Sequence, residues 1–247
     1  MPSGIKSFLY YAVMLVFTPL YSVFYAVVFF VTVAFDRQRV VLHHVSRFWT
    51  RAIFFPLGWK LRFEGLEHIE KKRAYVVIGN HQSMFDIPLM YQLPVNFKWV
   101  SKRAVYKWPI FGMALWMHGD IAIERGAASS AKKMIRKAKQ HLDAGTSVII
   151  FPEGTRTDDC RMLPRFKEGA FLMAKTAGVG ILPCVSEGTG SLNEGWKLRF
   201  PHRFTVRILP PVSPERVQET DLKTLTAEMY TLIRSEHEKL RPDLYAK

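Results

Sequence analysis

The sequence predicts an α/β fold in which a mostly parallel or mixed sheet is flanked by helices and preceded by an N-terminal helical segment. Continuous apolar runs of strand length, at 74–78 and 146–151, are typical of strands that are buried on both faces. Segments with helical periodicity alternate with such runs, as a parallel sheet requires. Residues 7–35 carry no charge, so we divide the chain into an N-terminal segment, residues 1–58, and an α/β domain, residues 59–247.

The composition fits one α/β domain with an appendage and narrows the class of partner. The chain has 247 residues, 49% of them apolar, which is enough for a sizeable core and excludes a disordered polymer. The formal net charge is +14, which favours an anionic partner such as a lipid surface, a nucleic acid or an acidic protein. Cys160 and Cys184 lack the spacing of a metal site or of a CxxC motif, so we predict two reduced thiols.

The uncharged stretch over residues 7–35 has the composition of a membrane helix. About 20 apolar residues suffice to span the core of a bilayer, whereas a signal peptide is shorter and ends in a cleavage site. Pro19 lies near the middle of the stretch, where it would kink or interrupt a helix. Two alternatives follow: one membrane span, or two short helices that dip into one leaflet and are broken near Pro19 or near Asp36.

A basic amphipathic segment follows at residues 37–60. Apolar residues recur there at roughly helical spacing, while four arginines and two histidines supply a basic side, as in helices that lie at a membrane interface. An ordinary helix packed on the domain is the alternative. Residues 1–63 carry seven Lys and Arg side chains against one acid, a bias that favours an anionic phospholipid membrane and its cytoplasmic leaflet. Together the two segments predict a membrane anchor.

Within the domain, the period of the apolar residues distinguishes strands from helices. The predicted strands lie at about 59–63, 74–78, 97–100, 120–125, 146–151, 180–186 and 203–209, and the predicted helices at about 131–142, 167–177 and 221–240. The first strand alternates in polarity and is predicted at a sheet edge. Gly145 ends the first helix, whose Lys- and Arg-rich side we interpret as a solvated face.

The segment Asn80–Asp86 directly follows the buried run 74–78, at the end of a strand, where ligands bind in α/β sheets. Imidazole is the usual general base near pH 7, and a carboxylate hydrogen bonded to one ring nitrogen fixes its tautomer. Positions five apart on an ideal helix lie about 140° apart around its axis. His81 and Asp86 can therefore meet only if His81 lies in the turn before a helix and Asp86 in its first turns. A capping box formed by Ser83 and Asp86 is the structural alternative.

The segment Phe151–Arg156 follows the second buried run in the same way. Gly154 allows close approach of the backbone, and its N–H with that of Thr155 could hold an anion. Arg156 could bind a phosphate through two parallel hydrogen bonds. Glu153 could accept from a substrate hydroxyl or hold a neighbouring loop. The alternative for the whole segment is a Pro-Glu-Gly turn with a surface arginine.

Other signatures of catalysis and phosphate binding are missing from the sequence. There is no GxSxG elbow, which disfavours an acyl-serine intermediate, and neither GxxxxGK[ST] nor GxGxxG occurs. The remaining histidines of the domain stand singly, and we interpret each as a surface or satisfied core residue: His68, His118, His141, His202 and His237. The sequence therefore predicts neither a metal ion nor a bound cofactor.

The two motifs, in this order and spacing, resemble those of the glycerolipid acyltransferases, and most closely those of the lysophosphatidate acyltransferases. Asn80, His81 and Asp86 match the Asn-His-x4-Asp motif of that family, and Phe151–Arg156 matches its Phe-Pro-Glu-Gly-Thr-Arg motif residue for residue. The resemblance covers about residues 60–210.

Further segments fit the same family with small departures. The stretch Ser101–Arg125 resembles its second motif, although Glu124 stands where an Asp is commoner. Ile181–Pro183 resembles its fourth motif, an apolar run that ends in Pro, with Cys184 following where an apolar residue is usual. The segment Phe166–Gly169 also fits.

The resemblance implies a reaction and assigns roles to the matching residues. An acyl thioester, carried on acyl carrier protein or on coenzyme A, would acylate the sn-2 hydroxyl of lysophosphatidate to give phosphatidate. His81 would be the general base that takes the hydroxyl proton, Asp86 would orient it, and the alkoxide would attack the thioester carbonyl directly. The implied substrate-binding residues, of which the three basic ones would hold the phosphate, are Lys102, Arg125, Glu153, Gly154, Thr155 and Arg156.

Other interpretations of the same sequence concern the acceptor and the class of protein. The acceptor could instead be glycerol 3-phosphate or another lysophospholipid, and the basic charge alone also fits a non-catalytic membrane-surface or nucleic-acid-binding protein. No aromatic motif of the RNA-binding type accompanies the charge, so we expect no nucleic-acid partner. The anchor and the lipid substrate predict a membrane protein with its active site on the cytoplasmic face.

Overall fold

A mixed sheet forms the centre of the α/β domain in the computed structural model, which describes residues 3–54, 58–70, 72–124, 126, 128–157 and 159–246. The strands are β1 (Lys60–Glu64), β2 (Tyr75–Gly79), β3 (Phe97–Lys102), β4 (Ile121–Ile123), β5 (Ser147–Ile150), β6 (Gly180–Glu187), β7 (Asn193–Glu194), β8 (Lys197–Leu198) and β9 (Arg203–Ile208). Seven of them form one sheet in the order β1-β9-β6-β2-β5-β3-β4, while β7 and β8 pair as a separate ribbon.

Neighbouring strands of the large sheet are parallel except β6 and β9, which are antiparallel. The predicted mostly parallel or mixed sheet is therefore confirmed, as is the position of the first strand at an edge. Every residue of β2 is buried, and β2 lies between β6 and β5. The loops that follow β2 and β5 consequently emerge side by side at one edge of the sheet, where ligands bind in α/β folds.

Helices cover both faces of the sheet. They are α1 (Ser3–Thr32), α2 (Val40–Phe54), α3 (Asp86–Met90), α4 (Phe111–His118), α5 (Ala128–Asp143), α6 (Gly169–Ala177), α7 (Pro214–Glu219), α8 (Leu222–Leu240) and α9 (Pro242–Tyr245). Val76 and Ile78 of β2 belong to the apolar layer under α5, α6 and α8, whereas Tyr75 and Val77 belong to the layer under α1, α2 and α3. This burial on both faces explains the continuous apolar run in the sequence.

The N-terminal segment is a pair of helices whose break lies at Asp36 rather than at Pro19. α1 runs through Pro19 as one helix, and the chain turns before α2 begins at Val40. The two carboxylate oxygens of Asp36 accept the N–H groups of Val40 and Val41 at 2.9 and 2.8 Å, which satisfies two free donors at the start of α2. Of the amphipathic segment predicted at 37–60, the structure forms a helix over Val40–Phe54, and residues 55–57 lie outside the described part of the chain.

α1 packs lengthwise against the rest of the protein. Near its start the Ser7 hydroxyl accepts the N–H of Leu198 at 2.8 Å, in its middle the Tyr21 hydroxyl donates to the carbonyl of Val45, and near its end Phe29 lies 5.5 Å from the ring of Trp116. The opposite side leaves large apolar side chains exposed: Phe8, Leu15, Val16, Leu20, Val23, Phe30 and Val31. Within the described residues, α1 is the helix that is long and apolar enough to cross a membrane.

A buried polar cluster joins α2 to the domain. Lys98 is fully buried and donates to the carbonyl of His118 at 2.7 Å, while Nδ1 of His118 lies 2.7 Å from Asp120. His43 of α2 stacks on His118 at 5.7 Å, and neither of its ring nitrogens has a hydrogen-bond partner among the described residues. Burial, with His118 and Lys98 nearby, lowers the pKa of His43 to about 2.

We expect His43 to make the protein sensitive to acid. Its pKa in the folded state lies below the ordinary value of 6.5, so the unfolded chain binds the proton more tightly and stability falls as the pH drops below about 6.5. Between pH 7.5 and pH 5 one such imidazole should cost about 2 kcal/mol. Urea denaturation in detergent at the two pH values should show this loss in the wild type and a correspondingly smaller one in His43→Leu. An equal loss in both proteins would contradict the expectation.

Some elements differ from the prediction. The strand expected at 120–125 is shortened to Ile121–Ile123, and the helix expected at 167–177 begins at Gly169. α4 was not predicted, because the segment Phe111–His118 is apolar around most of the helix and shows no 3.6-residue period. Cys160 and Cys184 are free thiols, as predicted.

Candidate active site

His81 and Asp86 meet as the five-residue spacing requires. His81 lies in the turn after β2, and Asp86 is the first residue of α3. Nδ1 of His81 is 2.7 Å from Oδ2 of Asp86. The Asp86 side chain is completely buried, whereas 17% of the His81 side chain is exposed. The pair therefore has one partner held inside the protein and one that can be reached from outside.

Every group that contacts the Asp86 carboxylate is a hydrogen-bond donor. Oδ2 also accepts the backbone N–H groups of Gln82 and Ser83, at 2.7 and 2.9 Å. Oδ1 faces the hydroxyls of Ser186, at 3.4 Å, and Thr189. The bond from the Ser83 N–H is one half of a capping box, but the Ser83 hydroxyl accepts the N–H of Phe85 at 3.3 Å, and Phe85, not Ser83, is the N-cap of α3. The capping box offered as the structural alternative is therefore incomplete, whereas the contact of Asp86 with His81 is formed.

The environment of His81 fixes its tautomer and the plane of its ring. Because a carboxylate oxygen can only accept, Nδ1 carries the proton and donates it to Asp86, which leaves a lone pair on Nε2. The ring stacks on Phe151, with centroids 4.2 Å apart and an interplanar angle of 5°. An imidazole held in this way can accept a proton from a bound hydroxyl through Nε2.

Glu153 connects the loops after β2 and β5. Its Oε1 accepts the backbone N–H of His81 at 2.8 Å, and its Oε2 accepts that of Leu163 at 2.7 Å. The residue is 2% exposed, so of the two roles expected for it the geometry favours holding the loops over contacting a substrate. Burial raises the pKa of Glu153 to about 7 in spite of the two N–H donors, and Asp86 adds to the rise.

The turn at Gly154 differs in one respect from the expectation. The N–H of Gly154 donates to the carbonyl of Phe151 at 3.0 Å, so it closes the turn and is not available to an anion, contrary to our interpretation of the sequence. Gly154 has a φ of 73°, which an L side chain rarely adopts. A Cβ at this position would also lie 2.8 Å from Nζ of Lys167. The turn thus brings a lysine, outside the predicted substrate-binding residues, next to the motif.

A cleft of about 640 Å³ opens beside the His81–Asp86 pair. It is lined by Gln82–Phe85, which follow His81, and by Thr155–Thr157, and Tyr11 of α1 contributes to its wall. Thr155 and Arg156 are exposed, so the guanidinium of Arg156 can bind an anion in this cleft. The cleft therefore includes one predicted phosphate ligand, Arg156, and the residue that follows the predicted base, Gln82.

The other predicted phosphate ligands are less closely tied to the cleft. Lys102 is exposed at the carboxyl end of β3, which lies beside β5 and so ends at the same edge of the sheet as β2 and β5. Arg125 lies outside the described residues. Among the described residues, no group of three or more His, Cys, Asp or Glu side chains could hold a metal ion.

The sequence did not reveal the residues that support Asp86 from the far side. Ser186 lies one residue before the end of β6, the strand next to β2, and Thr189 follows that strand. Asn80 ties the two strands together, since its Nδ2 donates to the carbonyl of Ser186 at 2.9 Å and its Oδ1 accepts the N–H of Ser186 at 2.8 Å. The available signal was the polar residues at and after the end of the strand predicted at about 180–186, but the sequence did not place that strand beside the first motif.

Known proteins resemble this chain in sequence and in fold. The family model described as acyltransferase matches residues 60–187, which include both motifs. A crystal structure of a 1-acyl-sn-glycerophosphate acyltransferase from Thermotoga maritima has a similar fold, with a TM-score of 0.79 and 25% sequence identity over 97% of this chain and 98% of that chain.

Curated relatives share the central part of the chain. A chloroplastic 1-acyl-sn-glycerol-3-phosphate acyltransferase of Arabidopsis thaliana is 36% identical over 160 residues, which are 64% of this chain and 44% of the relative. The alpha 1-acyl-sn-glycerol-3-phosphate acyltransferase of Mus musculus is 36% identical over 172 residues, which are 68% of this chain and 60% of the relative. The chain thus spans about half the length of the curated relatives it matches.

Proposed function

Because the chain belongs to the acyltransferase family, we propose that it transfers an acyl chain from a thioester to the sn-2 hydroxyl of lysophosphatidate, giving phosphatidate. The observation that carries the proposal is the His81–Asp86 pair at the edge of the sheet, beside a cleft lined by Arg156. The relatives described above are all named as acyltransferases for 1-acyl-glycerol phosphates, which supports the same acceptor.

The geometry supports a direct transfer without an acyl-enzyme. Nε2 of His81 takes the proton of the acceptor hydroxyl while Nδ1 keeps its hydrogen bond to Asp86, and the resulting alkoxide attacks the thioester carbonyl. The C–S bond then breaks, and the leaving thiolate takes the proton from the imidazolium of His81. Asp86 stabilises that imidazolium because its buried carboxylate faces the charged ring at 2.7 Å.

The acceptor is held by its phosphate in this proposal. Arg156 supplies a planar pair of donors that matches phosphate oxygens, and Lys102 adds charge from the end of β3. Glu153 and the Gly154–Thr155 turn shape the wall between that phosphate and the base. Holding hydroxyl, base and carbonyl in contact supplies a large part of the rate acceleration.

Removing the Arg156 side chain should weaken binding of the acceptor selectively. Charged hydrogen bonds contribute about 1.5–3 kcal/mol each, so Arg156→Ala should raise KM for lysophosphatidate about 10- to 100-fold. Steady-state kinetics with each substrate varied in turn should show KM for the thioester changed no more than about twofold. Arg161→Ala removes an exposed arginine outside the cleft and serves as the control. Equal increases in both Michaelis constants would count against a phosphate role.

The donor is an acyl thioester on acyl carrier protein or on coenzyme A, and it is a co-substrate. The steps above use the side chains of the protein and the two substrates alone, so we propose a reaction that needs neither a metal ion nor a bound cofactor. The net charge of +14 suits both an acidic carrier protein and an anionic lipid.

We also propose that α1 lies within one leaflet of an anionic phospholipid membrane and does not span it. A helix of 30 residues is about 45 Å long, and contacts at Ser7, Tyr21 and Phe29 tie it to the domain along this length. If α1 stood across the bilayer, the parts of the domain beside it would lie in the hydrocarbon as well. Lying in the interface, it exposes its apolar side to lipid and holds the active site at the cytoplasmic face.

The same membrane-facing surface continues over α4. Trp116 is 64% exposed and packs beside Phe29 of α1. Trp108 is exposed on the turn that leads into α4, and Phe111 is exposed at the start of that helix. The exposed basic residues Lys102, Arg103 and Lys107 precede this turn. Aromatic side chains bordered by cations are typical of surfaces that bind the headgroup region of anionic membranes.

The position of α1 can be tested by labelling its two ends. In a variant with Cys160 and Cys184 replaced by Ala, we expect Ser3→Cys and Ala34→Cys, each introduced alone, to react with a membrane-impermeant maleimide added outside sealed vesicles. Both ends lie on the same side of the membrane when the helix stays in one leaflet. Lys139→Cys, on the solvated side of α5, marks the protein whose domain faces outward. Protection of one end of α1 would show that it spans the bilayer.

The proposed activity is tested by offering several acceptors to one purified preparation. Lysophosphatidate, glycerol 3-phosphate and a zwitterionic lysophospholipid are each combined with an acyl-coenzyme A and an acyl carrier protein thioester, and labelled product is counted. We expect phosphatidate to be the main product. Transfer to glycerol 3-phosphate alone would move the proposal to that acceptor, and transfer to none would favour a non-catalytic membrane-surface protein.

A further inference from the structure

A second buried polar cluster links the C-terminal helices to the residue after His81. His237 of α8 is completely buried. Its Nε2 lies 2.9 Å from Nε2 of Gln82 and 3.2 Å from Oε2 of Glu187, and its Nδ1 lies 2.8 Å from the hydroxyl of Tyr245. The sequence marked His237 only as a solitary histidine. It also lies outside residues 60–187, which the acyltransferase model matches.

Nε2 of His237 lies between a donor and an acceptor, the NH2 group of Gln82 and the carboxylate of Glu187. In either tautomer it therefore makes one of these two hydrogen bonds, and because Glu187 itself accepts from Gln82, both bonds hold the Gln82 side chain. The hydroxyl of Tyr245 accepts from Nδ1 or donates to it accordingly. The same NH2 group faces Glu187 and the carbonyl of Cys160, each at 3.1 Å. Arg241 holds Glu187 from the other side at 2.6 Å. The side chain of Gln82 is thus held in one orientation by groups from several parts of the chain.

The backbone of Gln82 acts directly on the catalytic pair. Its N–H donates at 2.7 Å to Oδ2 of Asp86, the same oxygen that accepts Nδ1 of His81. Thr189 contacts both the side-chain carbonyl of Gln82, at 3.4 Å, and Oδ1 of Asp86. A displacement of Gln82 as a whole would therefore move the donor that holds the Asp86 carboxylate against the imidazole, and the bonds of its side chain oppose such a displacement.

We propose that His237 is a positioning residue for acyl transfer. Through Nε2 it holds the Gln82 side chain, Gln82 holds the Asp86 carboxylate through its N–H, and Asp86 orients His81. The C-terminal helix α8 consequently sets the geometry of a motif that lies more than a hundred residues earlier in the sequence. This inference rests on the proposed function and deepens it, because it concerns the rate of the same reaction.

Two substitutions separate the two nitrogens of His237. His237→Gln carries an amide to the place of Nε2, where its oxygen can accept from Gln82, but it loses the bond to Tyr245. His237→Asn carries an amide to the place of Nδ1, where it can donate to Tyr245, but it leaves Gln82 without that acceptor. If His237 served stability alone, the two variants would have similar activity, or the variant with the higher unfolding temperature would be the more active one.

We expect a difference in kcat between them. Loss of one buried hydrogen bond that positions the reacting groups corresponds to about a tenfold change in rate. His237→Asn should therefore lower kcat about tenfold, whereas the kcat of His237→Gln should stay within about threefold of the wild type. KM for both substrates should change no more than about twofold in either variant, because neither nitrogen lines the cleft. Thermal unfolding in detergent is measured for both variants alongside the kinetics.

A double-mutant cycle gives a second measurement that does not depend on the folding of any one variant. If His237 acts through Gln82, then Gln82→Met should lower kcat as His237→Asn does, and the double variant should be no slower than the worse single variant. Full additivity of the two effects would overturn the inference. So would equal kcat values for His237→Asn and His237→Gln.

The outcome for this inference is distinguishable from that for the proposed function. The wild type is assayed first with lysophosphatidate and a thioester, and a wild type that acylates no acceptor overturns both. An active wild type with an equally active His237→Asn overturns the positioning role and leaves the proposed activity standing.

Discussion

Replacing His81 by alanine should abolish acyl transfer, lowering kcat by about 10³-fold or more, since a positioned general base contributes about 10²–10⁴. Nε2 of His81 is the proton acceptor in the proposed reaction, and its neighbours in the motif offer no second base at that place. Radiolabelled thioester and lysophosphatidate, with single-turnover detection, would measure the residual rate.

The fold should survive the loss of the His81 side chain. Asp86 keeps the N–H groups of Gln82 and Ser83 and the hydroxyl of Thr189 as partners, so its buried carboxylate is not left without hydrogen bonds. Thermal unfolding and binding to anionic vesicles should therefore resemble those of the wild type. His44→Ala, which removes an exposed histidine of α2, is the control. A variant of His81 with near-normal turnover would remove the basis of the mechanism.

Asp86→Asn should be almost as damaging, with kcat lowered by about 10²–10⁴, the range expected when a buried carboxylate behind a catalytic histidine is neutralised. The amide can present its oxygen to His81 and the two backbone N–H groups, while its NH2 group turns to the hydroxyls of Ser186 and Thr189, which can reverse and accept. The packing is then retained, but the negative charge that stabilises the imidazolium is gone.

The kinetics of Asp86→Asn should locate the defect in the chemical step. KM for lysophosphatidate should remain within about threefold of the wild type, because Asp86 is completely buried and touches no substrate. Unfolding in urea would check that the fold is intact. A variant that keeps kcat within tenfold of the wild type, or that loses only affinity, would show that the carboxylate serves chiefly to hold the loop after β2.

The predictable parts of the fold are those whose burial produces a local pattern of apolar and polar residues in the sequence. β2 and β5 are buried on both faces and read as continuous apolar runs, and the edge strand β1 alternates. α4 could not be predicted, because one side packs on the domain while the other exposes Trp116, and both sides are apolar. Length, charge and period indicated α1 and α2, but only the structure shows that the break falls at Asp36.

The contact between His81 and Asp86 was predictable for a geometric reason, and the groups that support it were not. The five-residue spacing of His81 and Asp86 admits one arrangement at a strand end, and the structure has it. Thr189 and His237 contact the motif across 103 and 155 residues of chain. A single polar residue so far away forms no periodic pattern from which the contact could be predicted. Likewise, the N–H of Gly154 was expected to be free, because the hydrogen bond that closes its turn cannot be read from composition.

The presence of Tyr11 in the wall of the cleft has a consequence for how such an enzyme meets its acceptor. If α1 lies in the leaflet and the cleft receives the phosphate, as proposed, the helix and the opening share a boundary. An acceptor would then arrive by lateral diffusion, with its acyl chain still in the leaflet. The concentration of acceptor that governs the rate is then its mole fraction among the lipids of the membrane. Inert phospholipid would dilute the acceptor, whereas added buffer would not, and turnover would be governed by the composition of the surface.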